Sequence, residues 1–232
     1  MELFYHPVSP PARACELLAK FLKLDVKVTT LDLFQGEQMK PEFVALNPAH
    51  CVPTLKDGDF VLWESRAIMQ YMANKTKSTY YPTDPVARAK VDFLLCWDMG
   101  DLYASIMAYQ YPLMGFRPMP KDIGAMESNF RAKLTFLDEH LIKGPYLTGD
   151  AMTIADMSLA ISLTMPEIIN VTYDKYPKIS AWLGKMHAHA EWKEVQAKFE
   201  APKKEFQAKL ASQQSKFWVT FTAVVYHNIS NF

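Results

Sequence analysis

The chain changes its periodicity once, near residue 80, and that change limits its fold more than any other feature. Before it, short apolar runs with strand spacing alternate with runs at helical spacing. After it, strand signals vanish and helical spacing alone continues. A chain of 232 residues can be one large domain or two small ones, and the switch argues for two of different class.

In the first part, residues 2–6 read as a short apolar strand. Pro10-Pro11 then opens a helix, where proline costs no backbone bond. Cys15, Leu18 and Leu22 recur at helical spacing, with Ala14 and Phe21 beside them. Residues 26–31 read as a second strand, with Val26 and Val28 on one face. Residues 36–46 are a short helical or irregular segment that ends before Asn47-Pro48. Residues 54–56 and 60–63 read as two strands joined by Asp57-Gly58-Asp59, a strong hairpin signal. Residues 65–74 close the unit as a helix with Ile68, Tyr71 and Met72 on its apolar side. The order β-α-β-(α)-β-β-α implies a parallel crossover and then a hairpin, which is the order of an α/β thioredoxin-like domain.

Residues 75–85 carry lysines, threonines, Pro82 and Pro85 without apolar periodicity, and read as a linker. Helical runs follow at 86–114, at 121–143 before Gly144-Pro145, and at 153–165, 177–189 and 192–210. They predict an all-α helical bundle. The expected limits are a first domain at 1–78, a linker at 79–86, a helical domain at 87–212 and a tail at 213–232. From residue 217 the tail is aromatic and β-branched, without Asp, Glu, Lys or Arg. It fits a strand, a helix laid over a cleft, or an artefact of the gene model.

Composition narrows function mainly by exclusion. Lys plus Arg equals Asp plus Glu, at 25 each, so no basic field points to nucleic acid or to an anionic membrane. No apolar stretch reaches the ~18 residues of a membrane span, and the N-terminus lacks the pattern of a signal peptide. Cys15, Cys51 and Cys96 are odd in number and never spaced C-x-x-C. They read as buried reduced thiols of a cytoplasmic protein, not as disulfides or a metal site.

Four short segments carry chemistry. Ser9-Pro10-Pro11-Ala12-Arg13 follows the first strand and caps a helix. A disulfide oxidoreductase would have cysteine there. Serine offers a hydroxyl that can hydrogen-bond another molecule's thiolate and lower that thiol's pKa. Val52-Pro53-Thr54 opens a strand, and its X-Pro bond can be cis. Val52 then has backbone groups free to pair with an extended peptide. Glu64-Ser65-Arg66 starts a helix: Glu64 suits an ammonium, and Ser65 with the helix N-terminus suits a carboxylate. His50, in Ala49-His50-Cys51, could hold a second carboxylate. Together they describe a γ-glutamyl tripeptide with a thiol, which is glutathione.

These segments also carry a family resemblance. Ser9-Pro-Pro-Ala-Arg, the stretch from Pro41 to Leu55 that holds His50 and Pro53, Glu64-Ser65-Arg66 and Tyr81-Pro82-Thr83-Asp84 make the chain similar to the cytosolic glutathione transferases. The likeness runs from about residue 2 to about residue 200 and is strongest to the delta, epsilon and theta-like classes. It implies a homodimer that takes glutathione as co-substrate and attacks small hydrophobic electrophiles, in detoxification. It implies that Ser9 activates the thiol. Gln38, His50, Cys51, Val52, Pro53, Glu64, Ser65 and Arg66 would then bind glutathione. Close relatives often have histidine where this chain has Gln38, which carries no charge. The electrophile pocket would draw on Tyr103, Met107, Tyr109, Tyr111 and Phe116. Thr153 and Asp156 resemble the family's structural capping box. Rival readings are a non-catalytic assembly module of the same fold and a glutathione-dependent isomerase or dehalogenase. Tyr5 is the stand-in activator.

Overall fold

A computed structural model describes residues 1–229, with side-chain surroundings for residues 1–212. Its four-stranded sheet has the order β2-β1-β3-β4, with β1 at Glu2–Tyr5, β2 at Lys27–Thr30, β3 at Thr54–Asp57 and β4 at Phe60–Trp63. β1 and β2 are parallel, joined through helix α1 (Pro10–Phe21). β3 runs antiparallel to both β1 and β4. Gly58, at φ 63°, supplies the left-handed position that the Asp-Gly hairpin needs. Helix α2 (Pro41–Leu46) precedes β3, and α3 (Ser65–Lys75) closes the unit. The expected order of elements is the observed one.

From Pro85 onward the regular elements are helical: α4 (Pro85–Trp97), α5 (Tyr103–Leu113), α6 (Ile123–Phe136), α7 (Ile154–Ser162), α8 (Pro177–Ala188) and α9 (Ala190–Ile229). The run at 86–114 is not one continuous α-helix. A π-helical turn, Asp98–Leu102, parts α4 from α5, and Asp98 at its start is wholly buried between Arg66 and Ser158. Such widened turns are common at functional sites. A second π-turn, Leu137–Leu141, follows α6. The apolar tail continues α9 as far as Ile229, and its residues 230–232 lie outside the described residues.

The core centres on α1, which lies between α3 on one flank and α7 and α9 on the other. Leu17, Leu18, Cys15 and Ala12 are wholly buried there, beside Ile68 and Met72 of α3 and Leu159 of α7. Burial of the leucine, isoleucine and methionine side chains among these stabilises by about 1.5–3 kcal/mol each. Helix α7 starts with a complete capping box. Asp156 Oδ2 accepts from Thr153 N and Oγ1 at 2.7 and 2.9 Å, and Oδ1 accepts from Leu147 N at 2.8 Å and Trp182 Nε1 at 3.0 Å. Burial holds the Asp156 carboxyl above its usual range, although these bonds oppose the shift.

The cysteines correct one expectation. Only Cys15 is buried; Cys51 is half-buried and Cys96 exposed. Cys96 lies on the solvent side of α4, where helical spacing turns it away from Val91 and Leu95. Among the described residues no helix is long and apolar enough to cross a membrane.

Candidate active site

Strand register brings three corners together. Thr54 pairs with Phe4 on one side and Trp63 on the other. The end of β1, the start of β3 and the end of β4 therefore share one edge of the sheet. The segments that begin with Ser9, Val52 and Glu64 all emerge there.

Ser9 is the N-cap of α1, at φ −79° and ψ 109°. Its Oγ accepts from Ala12 N at 3.4 Å, and its own amide donates to His6 O at 2.9 Å. A hydroxyl has one proton and two lone pairs, so capping leaves the Oγ–H available to donate. Pro10 and Pro11 have no N–H, and Arg13 N is committed to Ser9 O at 3.0 Å. The start of α1 thus offers an anion a hydroxyl and a dipole, without the row of free amides expected of a helix N-terminus.

The next corner is stitched by Asn47, a wholly buried residue. Its Nδ2 donates to Cys51 O at 3.2 Å and Thr54 Oγ1 at 2.8 Å, and its Oδ1 accepts from Ala49 N at 2.9 Å. These bonds fix the loop that presents His50, Cys51 and Val52. His50 is exposed, at φ 42°, and the Val52-Pro53 peptide is cis.

The third corner starts α3. Glu64 is exposed and held at φ 69°, strained for a non-glycine residue. The N-cap residue Glu64 makes no side-chain capping bond, so the first-turn amides of α3 are left without that acceptor. Ser65 is buried, and its Oγ accepts from Arg66 Nη1 at 2.8 Å. Arg66 reaches across to the helical part and pairs with Asp98, whose Oδ2 also accepts from Ser158 Oγ at 2.7 Å. This pair is largely buried and ties α3 to the π-turn and α7.

A cleft of about 450 Å³ joins these elements to the helical part. From the glutathione-related positions it gathers Ser9, Gln38, His50, Cys51 and Val52, and from the apolar ones Tyr103, Tyr111 and Phe116. Pro53, Glu64, Ser65 and Arg66 stand beside it, not on its wall. Met107 is buried within α5. Tyr109 is turned away to stack on Phe130, 5.9 Å between ring centroids. Residues 107 and 109 lie about 200° apart around a helix, so both cannot face one cleft. Gln38 Nε2 makes a long 3.5 Å bond to Leu33 O, and its Oε1 is covered without a partner among the described residues.

The cleft also uses residues that the sequence did not single out: His6, Leu33, Phe34 and Met165. Phe34 meets His6 edge-on, and Phe116 meets both Tyr111 and Phe206 of α9, forming an aromatic rim. Burial holds the His6 imidazole below its usual range, although Asp32 opposes the shift. The phenols of Tyr103 and Tyr111 are pushed up by burial and stay neutral. Tyr5 is buried off the cleft, its hydroxyl facing Glu16 and Arg13 with its pKa raised by burial. Among the described residues no cluster of His, Cys, Asp or Glu could hold a metal ion.

Comparison with known proteins gives a consistent result. Residues 1–74 match the family model "Glutathione S-transferase, N-terminal domain", and residues 106–190 match "Glutathione S-transferase, C-terminal domain". Glutathione S-transferase D7 of Anopheles gambiae is 36% identical over 190 residues, covering 79% of this chain and 84% of that protein. A delta-class glutathione transferase of Nilaparvata lugens superposes with a TM-score of 0.83 at 37% identity, over 89% of this chain and 98% of that one. A glutathione transferase homologue from Drosophila mojavensis, solved with bound glutathione, gives a TM-score of 0.80 at 28% identity over 91% and 96% of the two chains.

Proposed function

The chain belongs to the glutathione S-transferase family, and we propose that it activates the thiol of glutathione through a hydrogen bond from Ser9 for attack on apolar electrophiles in detoxification. The observation that carries this reading is the shared cleft. Ser9, with a proton left to donate, lines the same cleft as Val52, Tyr103, Tyr111 and Phe116.

The steps follow from the residues. Glutathione lies along the start of β3, its cysteinyl backbone paired with Val52. Its γ-glutamyl ammonium meets Glu64, and its α-carboxylate meets Ser65 and the uncapped start of α3. Arg66, held by Asp98, keeps Ser65 oriented through its bond to Ser65 Oγ. His50 and Gln38 take the glycyl end. The sulfur then lies at Ser9, whose O–H donates to the thiolate and favours ionisation. The thiol proton passes to solvent, and the thiolate forms a C–S bond to an electrophilic carbon held against Tyr103, Tyr111, Phe116 and Met165 while the bond to that carbon's leaving group breaks and the group departs to solvent. The protein supplies proximity and charge stabilisation, and the nucleophile is the substrate's own sulfur.

We assign the enzyme to the cytoplasm as a homodimer. Phe93 on α4, Met99 on the π-turn and Phe136 on α6 are exposed and give a second copy an apolar face to cover; gel filtration tests this.

The decisive test is Ser9→Ala, assayed with glutathione and a chloronitroaromatic. Loss of the donor lowers kcat by about a hundredfold or more, as for removal of one donor from a developing anion. Loss of the cap costs about 1 kcal/mol of stability. Unchanged turnover would remove Ser9 from the mechanism, and Tyr5→Phe, made alongside, would then test the remaining hydroxyl near α1.

A further inference from the structure

We infer that Arg13 is a positioning residue whose buried charge acidifies the thiol held at the start of α1. This rests on the reading that Ser9 binds that thiol.

The guanidinium is wholly buried between α1 and α9. Nη1 donates to Gln196 Oε1 at 2.8 Å, and the group lies over the Phe199 ring, 3.8 Å from its centroid. Among the described residues Nε and Nη2 have no hydrogen-bond partner. Two carboxylates stand near it, Glu16 on α1 and Glu167 after α7, but each is already paired with a lysine of α9. Glu16 is bonded to Lys198, and Glu167 to Lys203 at 2.6 Å. The other facing groups are the neutral phenols of Tyr5 on β1 and Tyr103 on α5. Burial pushes the Arg13 pKa down to about 10, so it stays cationic at neutral pH. The fold therefore keeps a positive charge in its interior with an amide oxygen and a ring as direct partners.

A methionine could pack α1 against α9 without that charge. Desolvating an ion costs several kcal/mol unless an opposite charge offsets it. Glu16 and Glu167 are each shared with a lysine of α9, so a further anion near Arg13 would be favoured, and the start of α1 is a place for it. Arg13 is four residues from Ser9, on the same helical face, and helical side chains lean back toward the N-terminus. A thiolate at Ser9 would lie off that end, in a poorly screened environment. The need is also evident there, because the first turn of α1 has no free N–H to give. Tyr103 links the two places, since it faces the guanidinium and also lines the cleft.

The test uses the full chain with Arg13→Met, Arg13→Lys and Ser9→Ala. The pKa of bound glutathione is read from the ultraviolet absorbance of its thiolate, alongside kcat, KM and thermal unfolding. Arg13→Met raises the bound thiol's pKa by about one unit, so kcat below that pKa falls about tenfold while KM for glutathione moves less than about twofold. Arg13→Lys, which keeps the charge, restores most of the shift. A folded Arg13→Met enzyme with an unchanged thiol pKa overturns the inference, provided Ser9→Ala raises it. An unchanged pKa in Ser9→Ala instead defeats the reading of Ser9. If Arg13→Met does not fold, Arg13→Gln, which keeps a polar donor toward Gln196 and loses the charge, replaces it. An unchanged thiol pKa in folded Arg13→Gln overturns the inference.

Discussion

Two helices begin at the same edge of the sheet and solve their N-termini in opposite ways. α1 closes its own end: Ser9 caps Ala12, and two prolines remove the neighbouring donors. α3 leaves its end open: Glu64 makes no capping bond and is held in a left-handed conformation. Evolution of a stable helix alone would favour a cap at both. The difference teaches what each corner is for. An open row of amides suits a carboxylate, which wants several donors at once. On the function proposed above, a thiolate needs one directed donor and a positive field, which the hydroxyl of Ser9 and the inferred charge of Arg13 would supply at α1.

The largest expected effect comes from a helix start outside the cleft, which calibrates the other two. Asp156→Ala strips acceptors from Leu147 N, Thr153 N and Trp182 Nε1, and costs about 3–5 kcal/mol of stability in chemical denaturation. The pKa of bound glutathione in the surviving folded fraction stays as in the parent. A shift there would show that closed and open helix starts are not separable in function. Next, Glu64→Gln keeps the side chain's shape and removes its charge. KM for glutathione rises about tenfold, equivalent to about 1.4 kcal/mol, with kcat at saturating glutathione nearly unchanged. A fall in kcat with constant KM would break the division of labour between α3 and α1. The smallest change is Pro11→Ala, which returns one N–H to the start of α1. Another donor near the sulfur lowers the thiol pKa by about half a unit, in line with ~0.3–1 kcal/mol for charge at a helix end. No change would mean that the prolines do not limit the field there.

Local signals made much of this legible in the sequence. Asp57-Gly58 marked the hairpin because that turn needs a left-handed residue, and Pro10-Pro11 marked a helix start because proline is tolerated there. The corners at Ser9, Val52 and Glu64 were readable for the same reason, as each sits on a short motif. Long-range polar partners were not readable. Asp98 lies in a helical run where an aspartate normally reads as solvent-facing, and its partners Arg66 and Ser158 are 32 and 60 residues away. Arg13 read as part of a motif, and nothing local announced that Phe199 would cover it. The π-turn was hidden because its residues keep near-helical periodicity. Tyr109 shows the converse: it was grouped by residue type with Tyr103, Met107 and Tyr111, which fall on one face at steps of about 40°, whereas the helix turns Tyr109 to Phe130.

The bond between Arg13 and Gln196 spans 183 residues of chain, and that separation sets an order of events during synthesis. α1 leaves the ribosome early, with its guanidinium still in water, while the strands that flank it can already pair. At ~5–20 residues per second, the segment that will enclose it arrives about 10–40 seconds later. The corner at Ser9 therefore has its local shape before Arg13 has its surroundings. A ribosome stalled before α9 would display a hydrated arginine that α9 later encloses.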